Sequence, residues 1–240
     1  MQITDGYSLF FHCWPWMGLG AAIVLLILAF TTNTLRSDTN KPRWKDPSFV
    51  AWIGAIAYML HNFEEYGVSF TGETLHFANM MGSMITPDIT EWAFLGCNIP
   101  LVWIMGPTLA ALSFKRPELV GAMPVFELVN GLGHAAQMAN LGYNPGAVTS
   151  LFVFIPLGIY TIVAFYGKGT GKFAWKYFWL TLAVALFYTA CIGIDIVLAY
   201  VGILTGAVMQ FLFIASATAL TGWLYWRAAK NAKPNAVGEA

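Results

Sequence analysis

Charge is what this chain has least of. Twelve Lys and Arg and twelve Asp and Glu make up 10% of its 240 residues and cancel to a net charge of zero. Ordinary soluble domains are about a quarter charged. A soluble protein so poor in charge would expose a very large apolar surface, which excludes a soluble enzyme. A nucleic-acid binder needs a basic excess, and a disordered tail needs high polarity; neither fits. Cysteine is also scarce. Cys13, Cys97 and Cys191 are far apart, odd in number and without metal-type spacing, so they read as small apolar core residues. No Lys or Arg precedes Arg36. The basic start of a cleavable secretory signal is therefore missing, and the first apolar segment is expected to be retained. Internal repeats, low-complexity linkers and lipidation motifs are missing as well.

Apolar residues fill the space. The chain is 58% hydrophobic and 16% aromatic, with a mean hydropathy of +0.63. The apolar runs are long and unbroken, unlike the ten-residue alternations of a membrane barrel. A spanning helix needs about 20 apolar residues. The expected architecture is all-α: one transmembrane domain over 1–226, a polytopic seven-helix bundle. Its helices are expected at about 14–32, 48–67, 90–112, 118–141, 147–166, 177–201 and 206–226. A turn at Gly202–Gly206 divides the last two, and a short cytoplasmic tail follows at 227–240.

The basic residues support that count. Arg36, Lys41, Arg43 and Lys45 follow the first segment, Lys115 and Arg116 the third. Lys168, Lys172 and Lys176 follow the fifth, and Arg227, Lys230 and Lys233 the seventh. All twelve fall on alternate connections, and cytoplasmic loops are the basic ones. The N-terminus is therefore expected outside and the C-terminus in the cytoplasm, with a bacterial inner membrane as the expected location.

Ionisable residues at membrane depth mark functional sites. Here they are His61, Glu64, Glu65, Glu91, Glu127, His134 and Asp195. No basic side chain lies in any expected span. The acids must therefore be protonated, hydrogen-bonded or bound to a metal ion. At a rise of about 1.5 Å per residue, His61 and His134 lie about 9–10 Å below the outer end of their helices, and Asp195 lies at a similar depth. Glu64, Glu65 and Glu91 are nearer the outer surface, and Glu127 is near the midplane. Their faces agree too. His61 and Glu65 are four residues apart, while Glu127, Asn130 and His134 are spaced three and four. Glu91 and Asn98, seven apart, share a face. The pattern predicts one polar cavity opening to the non-cytoplasmic side.

Imidazole with carboxylate suits a divalent transition metal: zinc, iron or manganese. Inward-facing Glu and Glu-x-x-His pairs build di-iron sites in helical bundles. Glu127 and His134 are about 10 Å apart along the axis, too far to share one ion easily. The spacing favours a single ion on His61, Glu65 and His134, with Glu91 as a further ligand. Glu64, Glu127 and Asp195 are the expected catalytic groups, and Asn98, Asn130 and Tyr143 the expected supporting shell. Against this stands plain interhelical hydrogen-bond glue, the better reading for any one of these residues alone. The set, levelled on several helices, favours a site. His12 and His76 are expected in exposed outer segments.

The string His61-Asn62-Phe63-Glu64-Glu65, a second intramembrane histidine at His134 and Tyr143-Asn144-Pro145-Gly146 occur in that order. The combination resembles the HXXEE family of bacterial membrane proteins. The resemblance marks His61, Glu64, Glu65, His134, Tyr143, Pro145 and Gly146 and carries no reaction with it. Asn144-Pro145-Gly146 also suits a simple turn with Pro second and a positive-φ Gly third.

Three functions are compatible with these residues. The first is a membrane-embedded metal-dependent enzyme acting on a lipid-like substrate. The second is a metal-free acid–base isomerase or cyclase that uses buried carboxyls. The third is a transporter or accessory subunit of a larger complex. An inner half without ionisable residues argues against a through-going ion path. Membrane lipids are the expected surroundings, and a homo-oligomer or larger assembly is compatible with the composition.

Overall fold

The computed structural model describes residues 6–84 and 91–231. They form eight helices and no strand: α1 (Gly6–Thr31), α2 (Pro47–Asn62), α3 (His76–Met84), α4 (Glu91–Leu112), α5 (Ala122–Leu141), α6 (Ala147–Phe165), α7 (Trp175–Tyr200) and α8 (Ala207–Asn231). Three of them widen by one residue per turn. Phe63–Gly67 continues α2 as a π-helical turn, and Ile99–Met105 and Ser150–Phe154 are π-helical stretches within α4 and α6. Such widenings are rare and concentrate at functional sites.

Five helices, α1, α4, α6, α7 and α8, contain stretches long and apolar enough to cross a membrane. This falls short of the seven spans expected from sequence. The two that fail are α2 with its π turn and α5, because His61 to Glu65 and Glu127, Asn130 and His134 dilute their apolar character. Large apolar side chains such as Phe152, Val163 and Val208 are exposed, as on a surface facing lipid.

Some ends differ from expectation. α1 starts at Gly6 rather than near Trp14 and contains Pro15, which membrane helices tolerate. α5 starts at Ala122 rather than Glu118. Pro117–Leu119 forms a separate 3₁₀ turn in which Glu118 pairs with Arg116, and the Gly121 N–H donates to the Tyr166 hydroxyl. Thr90, the expected start of the third segment, and the tail from 232 lie outside the described residues.

Local chemistry explains the starts and stops. Asp46 caps α2 by accepting from the Ser48 and Phe49 N–H groups, with Pro47 at the first helical position, a pairing that favours helix initiation. Gly142, at φ +83°, a conformation open to glycine, ends α5. Close packing holds α5 between its neighbours. A Cβ on Gly158 of α6 would lie 2.6 Å from Leu128 Cβ, and one on Gly54 of α2 would lie 3.0 Å from Pro124. Small residues permit this approach where no hydrophobic force draws helices together. It brings the end of α2, the second half of α5 and the start of α6 to one level.

Candidate metal centre

Three side chains meet at that level. His61 Nε2 lies 3.4 Å from Glu65 Oε1, and His134 Nε2 lies 3.5 Å from the same oxygen. All three ligand atoms fall within 4.8 Å of one another, and all three residues are buried. His61 and Glu65 come from α2 and its π turn, His134 from α5. The group can hold a metal ion.

The second nitrogen of each ring is held from behind. Asn144 donates through Nδ2 to the His134 carbonyl at 3.1 Å, which turns its Oδ1 toward His134 Nδ1 at 2.6 Å. An amide oxygen only accepts, so His134 Nδ1 carries the proton. On His61, Nδ1 sits 2.8 Å from Thr149 Oγ1. The Thr149 hydroxyl donates to Glu64 Oε2 at 2.7 Å, because a carboxylate only accepts and the charged acceptor outcompetes the Gly146 carbonyl at 3.2 Å. Thr149 therefore accepts from His61 Nδ1. In their neutral forms both imidazoles then present bare Nε2 lone pairs on the Glu65 side. His61 Nε2 is buried without a hydrogen-bond partner.

Gly146 completes the enclosure. At φ +88° it is left-handed, and a Cβ there would lie 2.5 Å from His61 Cε1, 2.8 Å from His134 Cε1 and 3.2 Å from Glu65 Cγ. The turn expected at Asn144-Pro145-Gly146 is present, and its glycine lies against both rings. Phe154 lies against the far side of His61, with ring centroids 4.5 Å apart.

The other expected site residues take different places. Glu64, expected as a catalytic group, has both oxygens occupied. It accepts from the Val148 N–H, the Thr149 N–H and hydroxyl, and the Tyr143 hydroxyl. It anchors the start of α6 and, through Thr149, orients His61. Glu91, expected as a ligand, is partly exposed at the start of α4 and stands outside the three-residue group. Tyr143 bridges Glu64 and the Phe70 N–H. Asn98 accepts from Asn62 at 2.7 Å. Asn130 donates to the Tyr58 hydroxyl at 3.4 Å. Glu127 is fully buried, and neither of its carboxylate oxygens has a partner among the described residues. His76 stays with Ser69 and Glu73, apart from the group.

A cavity of about 110 Å³ adjoins the centre on its Glu65 and His134 side. Asn98, Asn130 and Asp195 line it together with apolar side chains such as Phe77 and Met81 of α3. Three residues that build the centre escaped sequence reasoning in these roles. Asn144 and Gly146 were read as turn formers, and a threonine in an apolar helix, Thr149, carries no signal of its own.

Residues 52–161 match the family model described as a protein of unknown function with HXXEE motif, as the resemblance implied. The matched stretch spans His61, Glu64, Glu65, His134, Tyr143 and Gly146. No curated protein and no solved structure matches the chain.

Proposed function

We propose that this chain, which carries the HXXEE pattern over residues 52–161, is a membrane-embedded metal-dependent enzyme acting on a hydrophobic, lipid-like substrate. One observation carries the reading: two imidazole lone pairs and one carboxylate oxygen are fixed around a common point. Their spacing accommodates an ion. Ligands at about 2.0–2.1 Å from a tetrahedral ion stand about 3.4 Å apart. The His61–Glu65 and His134–Glu65 separations of 3.4 and 3.5 Å suit the ion. Imidazole and carboxylate favour zinc, iron or manganese.

Three protein ligands leave a fourth position open, the pattern of catalytic rather than structural sites. An ion bound here would supply Lewis acidity. The chain's own residues do the positioning. Asn144 and Thr149 lock the rings, Glu64 holds Thr149, and Gly146 and Phe154 exclude water from the ring faces. Glu127, seven residues before His134 on α5, is the candidate deeper proton carrier. In this reading α2 and α5 also span, giving seven crossings of a bacterial inner membrane with the N-terminus outside. The basic residues then all face the cytoplasm, and the metal centre lies in the outer half.

Elemental analysis tests the proposal. Protein purified without chelators is expected to hold zinc, iron or manganese in stoichiometric amount, and His61→Ala and His134→Ala are expected to lose it. Wild-type protein free of all three would sink the reading. It would leave the metal-free acid–base isomerase or cyclase, for which the unpartnered Glu127 carboxyl is the supporting observation.

A further inference from the structure

The cavity beside the metal centre holds two polar atoms that nothing among the described residues satisfies. Asp195 is 2% exposed and its Oδ1 has no partner; Asn130 Oδ1 is likewise buried and unpaired. Both residues line the cavity. Leaving such groups unpaired destabilises a fold, so their retention calls for a partner from outside the chain. Asp195 as a carboxylate only accepts, and with Asn130 Nδ2 on the Tyr58 hydroxyl the Asn130 oxygen accepts too. The missing partner is therefore a hydrogen-bond donor.

The remaining lining narrows the class. Among the described residues, no Lys or Arg lines the cavity, while Glu65 and Asp195 both do. A phosphate or carboxylate placed on Asp195 and Asn130 would meet two acceptors and no donor there, whatever an ion on Glu65 supplies at the other end. The aromatic side chains of Tyr58, Tyr66, Phe77 and Phe94 also line the space and suit an alkyl group or a cation. The size sets a limit. A cavity of about 150 Å³ accommodates benzene, so about 110 Å³ admits only a few heavy atoms: the end of a larger molecule, or a small one.

We infer that this cavity binds the donor-bearing, non-anionic end of the substrate, an alcohol or an amine, with its O–H or N–H on Asp195 and Asn130. This names the substrate class of the enzyme proposed above and rests on that reading for its link to the ion.

Four small probes of similar size test it on the full chain in detergent: 1-butanol, butylamine, butyrate and methyl propyl ether. The ether is an isomer of butanol that accepts but cannot donate. Ligand-observed NMR titrations are expected to show saturable binding of butanol and butylamine. The ether should bind about tenfold more weakly or worse, and butyrate should not bind. Asp195→Ala should weaken both good ligands about tenfold, and Asp195→Asn should weaken butylamine more than butanol. Asn130→Leu serves as the second variant should Asp195→Ala fail to fold. Equal binding of butyrate, or of the ether, overturns the inference, as does indifference to both Asp195→Ala and Asn130→Leu. Metal content measured on the same samples separates the two claims. Discrimination retained in wild-type protein that holds no metal would fail only the ion. Discrimination lost with metal in place would fail only the substrate class.

Discussion

A Cβ on Gly146 would lie 2.5 Å from Cε1 of His61. That distance is below any real contact, and the atom it meets belongs to a ring pinned by Thr149 on one edge and Phe154 on one face. His61 has nowhere to retreat. Gly146→Ala should therefore displace His61 or His134, and it also places a side chain at φ +88°, at a cost of about 1–2 kcal/mol. The expected result is folded protein of slightly lower melting temperature that no longer retains metal. Metal retained at the wild-type level would show that the rings sit elsewhere.

Thr149 touches the centre at His61 Nδ1, with its hydroxyl held in turn by Glu64. Loss of an outer hydrogen-bond partner to a metal-binding histidine costs about 10–100-fold in metal affinity. Thr149→Val keeps the shape and removes the hydroxyl, so affinity measured by chelator competition should fall within that range. Thr149→Ser should restore most of it. Asn144→Leu should act in the same way through His134. A serine variant as weak as the valine variant would show that Thr149 serves packing instead.

His61, Glu65 and His134 were legible in the sequence as one group, Glu91 was expected with them and stands apart, and the residues that support the group were not legible, for a physical reason. His61, Glu65 and His134 are ionisable groups in apolar helices, and membrane burial of such groups is costly enough to be visible without a structure. Spacings of four and seven along α2 and α5 then place them on faces. Asn144 and Thr149 are cheap to bury, so nothing in their local sequence marks them. The roles of neighbours were the hardest part. Glu64 and Glu65 are adjacent, yet the π turn directs one to the start of α6 and the other between two histidines. The helix count shows the same conflict between site and solvent. The residues that make α2 and α5 chemically informative also lower their hydropathy below that of a simple span.

Asp46 tests the fold apart from the centre. Its Oδ1 accepts from Ser48 N–H at 2.8 Å, Phe49 N–H at 3.2 Å and the Ser37 hydroxyl at 2.9 Å, and its Oδ2 accepts from Asp38 N–H at 2.7 Å. An N-cap alone is worth about 0.5–2 kcal/mol, and here the same carboxylate also ties down the preceding loop. Asp46→Ala should lower the melting temperature clearly, and Asp46→Asn, which keeps one acceptor oxygen, should lower it less. Metal content of the folded fraction should not change, because α2 carries His61 about four turns further on. A neutral Asp46→Ala would mean that water replaces the carboxylate without loss.

Glu127 separates stability from function most sharply. It is fully buried with both oxygens unpartnered, and a carboxyl left so destabilises the fold by about 1–3 kcal/mol relative to an apolar group of the same shape. Glu127→Met should therefore raise the melting temperature. It should leave metal content untouched, since Glu127 is outside the three-residue group. If Glu127 carries protons to or from the centre, the same variant should abolish turnover while the ion stays bound, and Glu127→Gln should match it. A stabilised Glu127→Met with full turnover would reduce Glu127 to an uncompensated core residue. A destabilised one would show that ordered water satisfies the carboxyl in the native protein and that the deep end of the centre is wet.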